Sequence, residues 1–257
     1  MGFVLSVRLG GYIDLSTVDW SDHLTFMLFL AGCNLACPYC QNARLIPPDS
    51  GTERDLDSVA EMVLKGRRLL DAVGFSGGEP TLQPDAVAEL SRRAKMRGLE
   101  CFLNTNGTQP AVLRRLLDNG LLDHVAVDVK APLETGRYGL VVGRPSYGAH
   151  IVEAVRESIQ TCLDYKVSLE LRTTVVPGLI GSKQDIEKIV TSLPVGSYSY
   201  VLQQFVPSPE VLDPSLTAAG SPSREWVVEL ARHALSLGLR DVFVRTKEFG
   251  MEKVGAS

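Results

Sequence analysis

Short apolar runs alternate with helical stripes along most of the chain. Leu24–Leu30, Ala72–Phe75, Leu99–Leu103, His124–Val127, Val167–Leu171 and Ser199–Gln203 read as strands, with a weaker seventh at Asp241–Arg245. Between them, apolar residues recur at helical spacing. Val87, Leu90 and Ala94 form one stripe, stopped near Gly98, and Val112, Leu113, Leu116 and Leu117 form another, stopped at Asn119-Gly120. Ile151, Val155, Ile159 and Cys162 make a third. A further helix opens at Ser182 with Asp185 three residues on, the pattern of a capping box, and continues through Ile186, Ile189 and Leu193. The last carries Trp226, Val227, Leu230 and Ala234 and ends near Gly238.

Strand, helix, strand at this spacing predicts βαβ units and a parallel sheet. The expected fold is α/β: a partial, laterally open (β/α)6-type barrel with a short N-terminal hairpin or cap at Gly10–Asp22. No internal repeat, low-complexity tract or long linker divides the 257 residues, so a single domain over 1–257 is expected. Six or seven strands fall short of the eight that close such a barrel.

Parallel β/α folds hold their ligands at the carboxyl ends of the strands. After the first strand comes Cys33-Asn-Leu-Ala-Cys37-Pro-Tyr39-Cys40, and after the second Ser76-Gly77-Gly78-Glu79-Pro80. Asn104-Thr105-Asn106-Gly107 follows the third and Asp128-Val129-Lys130 the fourth, while the fifth ends at Arg172 and the sixth at Gln203-Gln204. Six polar clusters at the same end of a sheet describe one mouth.

Composition narrows the chemistry. The chain is 45% hydrophobic and 22% charged, which is ordinary for a globular protein. A formal net charge of -4 argues against a nucleic-acid partner held by bulk electrostatics. The basic pairs Arg67-Arg68 and Arg92-Arg93 read as solvated helix faces. The longest apolar run, Leu24–Ala31, is far below the roughly 20 residues of a membrane span, and no secretory signal opens the chain. A cytoplasmic location without membrane contact is expected. Five cysteines, three of them within Cys33–Cys40, read as a metal site in a reducing compartment rather than a disulfide framework.

Three thiolates at spacings of four and three suit three irons of a cubane 4Fe-4S cluster, whereas electron-transfer clusters use four cysteines. Cys101 and Cys162 fall on a strand and within a helix and read as small core residues. One iron is left for an outside ligand, which points to catalysis. Structural zinc would need a fourth ligand. His23 is available, but it precedes a strand that runs away from the cysteine loop.

The C-x-x-x-C-x-x-C loop after a first strand, with an aromatic residue between its last two cysteines, resembles the radical S-adenosylmethionine (SAM) superfamily. Gly77-Gly78-Glu79-Pro80, one βα unit later, matches that family's second motif, and the likeness covers nearly the whole chain. The resemblance implies a 4Fe-4S cluster on Cys33, Cys37 and Cys40 whose open iron is chelated by the amino and carboxylate groups of SAM. Reductive cleavage of SAM then gives a 5′-deoxyadenosyl radical that abstracts hydrogen from a substrate. Tyr39 is implied to pack near adenine, and Gly77, Gly78, Glu79 and Pro80 to meet the SAM ammonium. The two glycines allow close backbone approach to a ligand. Asn104, Asn106 and Gln204 would complete the cofactor pocket. Lys130 suits the SAM carboxylate, Asp128 an ammonium or ribose hydroxyl, and the planar fork of Arg172 a second carboxylate clamp.

Within that superfamily the chain is most similar to glycyl-radical-enzyme activating enzymes, of the anaerobic ribonucleoside-triphosphate reductase activating protein type. Ser16-Thr17-Val18-Asp19-Trp20, Cys40-Gln41-Asn42, Thr105-Asn106-Gly107, Asp128-Val129-Lys130 and Val175-Val176-Pro177-Gly178 carry this likeness. It implies an anaerobic oxidoreductase that takes the α-hydrogen from one glycine of a glycyl radical enzyme. The electron would come from a flavodoxin- or ferredoxin-type donor, and an open barrel side would admit the polypeptide. Pyruvate formate-lyase activators have aspartate where Asn104 stands and histidine near Gln204. That aspartate helps hold a monovalent cation beside SAM, so the cation site is not carried over. Residues 41–100 hold no cysteine, so the extra clusters of some activators are not expected. One alternative is a radical SAM enzyme acting on a small molecule or modifying another protein. The other is a non-catalytic iron–sulfur electron-transfer protein, which would require a fourth cysteine ligand.

Overall fold

The computed structural model describes residues 6–65 and 68–255, so Arg67 of the Arg67-Arg68 pair lies outside the described residues. Contacts gather the chain into two units. The first takes the residues up to Asn34 together with Arg44–Thr105 and Gln109–Ala126. The second takes Leu35–Ala43, Asn106–Thr108 and the residues from Val127 onward.

In the first unit the strands are β1 (Ser6–Ser16), β2 (Thr25–Leu30), β3 (Thr52–Asp55), β4 (Ala72–Gly77), β5 (Glu100–Thr105) and the start of β6 (His124–Asp128). Their order is β3-β1-β2-β4-β5-β6. β2, β4 and β5 run parallel, with Leu28 opposite Phe75 and Phe75 opposite Leu103. β2 is apolar after Thr25 and buried on nearly every residue, as a strand covered on both faces must be. The helices are α1 (Leu56–Lys65), α2 (Pro84–Lys95) and α3 (Pro110–Asp118). The segment Gly10–Asp22 is partly a hairpin arm, since β1 pairs antiparallel with β2. Beyond Ser16 it acts as a cap: Trp20 stacks on His23 and on His124, the first residue of β6, with ring centroids 3.8 and 5.0 Å away. Trp20 also packs on the buried cluster of Met27, Phe102 and Ala126.

In the second unit the end of β6 is followed by β7 (Ser168–Val175), β8 (Ser199–Gln204), β9 (Val242–Thr246) and β10 (Gly250–Lys253), in that spatial order. β7, β8 and β9 are parallel, and β10 returns antiparallel to β9. The helices are α4 (Thr135–Val141), α5 (Gly148–Tyr165), α6 (Lys183–Ser192), α7 (Pro214–Ala219) and α8 (Arg224–Ser236). β3 and β10 are free edges, so the sheet is not closed into a barrel. Among the described residues no helix is long and apolar enough to cross a membrane.

Each of the seven strands read from the sequence is present, and all but β2 end one to four residues later than their runs. β5 extends through Thr105 and β7 through Val175, because polar residues keep the pairing where one face opens to solvent. β3 and β10 escape the pattern because the first is exposed along its length and the second nearly so. The stripes on α2 and α5 are buried as expected, and so is most of that on α3. On α8, Val227, Leu230 and Ala234 are buried, but Trp226 is 36% exposed and donates its indole N–H to the Gly181 carbonyl at 2.9 Å.

The capping box of α6 is formed in full. The Ser182 hydroxyl accepts the Asp185 N–H at 3.0 Å, and the Asp185 carboxylate accepts the N–H groups of Ser182 and Gly181 at 3.1 and 3.2 Å. Partial burial works against the Asp185 charge, yet these bonds and the Arg137 guanidinium hold its carboxyl below the usual range. A folded carboxyl with a lowered pKa stabilises the fold above its unfolded value of about 4, and that contribution disappears as pH falls. Ser182→Ala is therefore expected to lower stability by about 1 kcal/mol at pH 7. The deficit should shrink toward pH 3, and urea melts at the two pH values check both magnitude and trend.

Candidate functional site

The first unit positions the opening of the cysteine loop through its backbone. Gly32 and Cys33 donate their N–H groups to the carbonyls of Leu45 and Ile46 at 2.8 and 3.0 Å. On the other side, Gly78 N–H donates to Leu30 at 2.8 Å and Glu79 N–H to Gly32 at 2.7 Å. The Gly77-Gly78 turn is pressed against this loop. Gly77 has φ +116°, and a Cβ there would overlap the backbone of Leu30, while one at Gly78 would overlap the Gly32 carbonyl. The glycines admit close approach of chain to chain.

Glu79 is fully buried. Its Oε1 accepts the Thr81 N–H at 3.0 Å, the Thr81 hydroxyl at 2.5 Å and the Thr105 hydroxyl at 2.8 Å. It caps the short helical turn Pro80–Leu82 and ties that turn to the end of β5. In this arrangement its carboxylate braces the strand ends. Asn104, at the same end of β5, donates its amide N–H to Ser76 Oγ at 3.1 Å, while its buried Oδ1 accepts no hydrogen bond among the described residues. That buried acceptor calls for a donor.

The second unit holds Cys37, Tyr39 and Cys40. A turn closed by Cys40 N–H on the Cys37 carbonyl at 3.0 Å carries them. Ala36 N–H donates to Val142, Asp213 N–H donates to Pro38, and the Gln41 amide donates to the Val206 carbonyl. These loop contacts left no signal in the sequence. Cys37 and Tyr39 are buried and Cys40 is half-buried. Burial raises the Cys40 thiol and the Tyr39 hydroxyl above their ordinary values, and the positive charge of Lys130 partly offsets both.

Lys130 and Asp128 form an ion pair at 2.8 Å, with 14% and 29% of their side chains exposed. Burial opposes the lysine charge. Asp128, then Tyr39 and Cys37, outweigh it and carry the ammonium well above the usual lysine range. A protonated, largely desolvated lysine beside the cysteine loop is a ready anchor for a carboxylate.

Other sequence-derived residues in this unit have structural engagements. Asn106 is buried, and its Oδ1 accepts the N–H and hydroxyl of Thr108 at 3.0 and 2.6 Å, a side-chain turn. Arg172 lies within β7, 3% exposed, and pairs with Glu170 two residues earlier. Arg245 approaches the same carboxylate at 3.8 Å, a third charge that sequence spacing did not bring to Arg172. Gln204 closes β8, with its amide donating to Pro222 at 2.9 Å and accepting Lys247 N–H at 2.9 Å.

None of the five cysteines is joined in a disulfide. Cys101 and Cys162 are fully buried, and burial pushes each thiol up to about 12, as core residues. Among the described residues no group of three or more His, Cys, Asp or Glu is gathered to hold a metal ion. A cubane takes one thiolate on each of three irons rather than three on one ion. The soft donors of Cys33, Cys37 and Cys40 fit that chemistry, and the buried Asn104 acceptor and the Lys130 cation fit the ammonium and carboxylate of SAM.

An α/β protein with an open sheet and a three-cysteine loop after its first parallel strand defines a class of iron–sulfur enzyme. The radical SAM superfamily profile matches residues 27–193, and the chain belongs to that superfamily. Its members use a 4Fe-4S cluster and SAM. Over 244 residues the chain is 34% identical to a Methanocaldococcus jannaschii protein named as a glycyl-radical enzyme activating enzyme, covering 94% of this chain and 97% of the relative. It is 26% identical over 193 residues to the pyruvate formate-lyase-activating enzyme of Clostridium pasteurianum, covering 74% and 75%. Among solved structures, a radical SAM methyltransferase from Sphaerobacter thermophilus superposes with a TM-score of 0.67 at 16% identity. It covers 87% of this chain and 68% of that one, a likeness of fold alone.

The glycine turn is testable directly. Gly77→Ala combines a left-handed backbone with a clash against Leu30, so a loss of about 2 kcal/mol or more is expected. Thermal denaturation of the metal-free protein checks it without reference to activity.

Proposed function

We propose that Cys33, Cys37 and Cys40 hold the 4Fe-4S cluster and that the chain installs a glycyl radical on a separate polypeptide. The observation that most supports this reading is the Lys130–Asp128 pair set beside Cys37 and Tyr39, in a chain whose near-full-length relative carries a glycyl-radical activating name. When bound, the cluster and SAM supply a one-electron route to a hydrogen-abstracting carbon radical.

The residues then divide the remaining work. Lys130 binds the SAM carboxylate, and Asp128 keeps the lysine charged and aimed. Asn104 Oδ1 accepts from the ammonium, and the backbone of Gly77-Gly78 and Pro80 lines the approach. Tyr39 packs against adenine, and its burial keeps water from the thiolates. Glu79 and Asn106 are positioning residues, holding the turns after β4 and β5. Arg172 and Gln204 support the mouth from β7 and β8. A sheet with free edges leaves room for a polypeptide loop, and a flavodoxin- or ferredoxin-type carrier supplies the electron.

Anaerobic reconstitution should load about four irons per chain. Cys33→Ala, Cys37→Ala and Cys40→Ala should each abolish that iron, whereas Cys101→Ala and Cys162→Ala should retain it. With SAM, reductant and a glycyl-radical polypeptide from the same organism, electron paramagnetic resonance should show a doublet that collapses on α-deuteration of the glycine. One zinc and no iron would end the radical assignment. Stoichiometric use of a small metabolite with no protein-borne radical would move the substrate to a small molecule.

SAM affinity gives a separate check. Lys130→Ala is expected to weaken SAM binding by about 1.5–3 kcal/mol, the range of a charge-assisted hydrogen bond, with iron content unchanged. Equilibrium dialysis with labelled SAM measures it, and an unchanged dissociation constant would remove Lys130 from the pocket.

A further inference from the structure

Where β2 gives way to the cysteine loop, a side chain from elsewhere in the first unit opens its pairing with β1. Leu9 of β1 stands opposite Leu30 of β2, so the next pair along is Arg8 with Ala31. Ala31 N–H donates to the Arg8 carbonyl at 3.0 Å. That is one half of the exchange made by a hydrogen-bonded antiparallel pair, whose other half would run from Arg8 N–H to the Ala31 carbonyl. Gln83 interrupts it. Its Oε1 accepts the Arg8 N–H at 2.8 Å, and its Nε2 donates to the Ala31 and Arg8 carbonyls, each at 2.9 Å.

The partners fix the orientation of this carboxamide, since an N–H can only donate and the two carbonyls can only accept. Gln83 is half-buried and stands at the N-cap of α2, where a Ser, Thr, Asp or Asn would ordinarily turn its side chain onto the helix N–H groups. Its side chain makes no capping bond and goes to the strand break instead. Its own N–H donates to the Pro80 carbonyl at 3.0 Å. The amide is therefore anchored in the turn that follows Gly77-Gly78, which is already pressed against the start of the cysteine loop.

An amide set between two backbones bridges them where a direct bond would close the ladder. The Ala31 carbonyl is held off the Arg8 N–H, and the next residue, Gly32, turns at φ +91° to lead into Cys33. With the amide removed, Arg8 N–H and the Ala31 carbonyl are left to each other or to water. Only the backbone bonds of Gly32 and Cys33 to Leu45, Ile46 and Glu79 would then hold the exit. We infer that Gln83 is a positioning residue, a wedge that parts β2 from β1 after Ala31 and sets the exit of Cys33. This rests on the reading of Cys33 as a cluster ligand and adds a residue that touches neither metal ligand nor cofactor.

The test compares the wild type with Gln83→Met, which keeps the length of the side chain and removes its hydrogen bonds. In the metal-free protein, iodoacetamide labelling followed by peptide mass spectrometry gives a rate for each cysteine. Cys33 should react about 2- to 12-fold faster in the variant, the range of one net hydrogen bond, while Cys37 and Cys40 keep their wild-type rates. In the reconstituted protein, electron paramagnetic resonance of the reduced cluster should show altered g-values and a smaller change on adding SAM. Gln83→Glu accepts from Arg8 but cannot donate to either carbonyl, so it should behave like Gln83→Met, and it serves where the methionine variant fails to fold. Ser182→Ala, destabilised through the α6 cap, controls for stability and should leave Cys33 and the spectrum unchanged. Labelling and spectra that match the wild type in every Gln83 variant that folds would overturn the wedge. Equal acceleration of all three cysteines would overturn it too, as general loosening. Faster Cys33 labelling in a protein whose wild type loads no iron would uphold the wedge and sink the cluster reading instead.

Discussion

The backbone of the Gly77-Gly78 turn lies directly against the backbone of Leu30–Gly32, and the opening of the cysteine loop depends on that approach. No side chain separates the two segments. The distance is therefore set by hydrogen bonds from Gly78 and Glu79 to Leu30 and Gly32, which are stiffer than contacts between flexible side chains. Glu79 extends the constraint to β5 through Thr105. A turn after one strand, the loop after its neighbour and the end of a third strand are thus fixed together. The first cysteine leaves the sheet in a direction that the side-chain packing around it does not have to enforce.

Electrostatics in the second unit set a different condition. Burial disfavours the thiolate of Cys40, yet iron binds thiolates, so the protein must supply compensation. A backbone hydrogen bond from Asn42 and then the charge of Lys130 work in that direction, and Asp128 prevents the lysine from losing its own charge to desolvation. The same ammonium that offsets the thiolates is also suited to a carboxylate. One half-buried ion pair stands beside Cys37 and Tyr39.

The fold does not by itself decide the reaction. A methyltransferase with 16% identity shares it, and superfamily membership fixes only the cofactor chemistry. What distinguishes one member from another is the part of the sheet face that meets the substrate.

The sequence determined the elements and the donor set. Apolar periodicity reports burial, so the strands of the βα units were legible, and so was the Ser182–Asp185 cap, whose chemistry is local, but Ser6–Leu9 of β1 was not. The cysteine spacing is likewise local and marked three thiolate donors, and Cys101 and Cys162 showed as core through their place in apolar patterns. The exposed edges β3 and β10 were not legible, because a strand with water on its outer side needs no apolar repeat. Nor were the hydrogen bonds that Glu79, Arg172 and Gln204 make within the fold. Their hydrogen-bond partners lie two to 43 residues away in the chain, and only packing brings Thr105 to Glu79 or Lys247 to Gln204. Motif spacing is one-dimensional and records which groups are available. Which of them are already hydrogen-bonded is decided when the strands align, because a buried carboxylate or amide takes whatever donors the fold sets beside it.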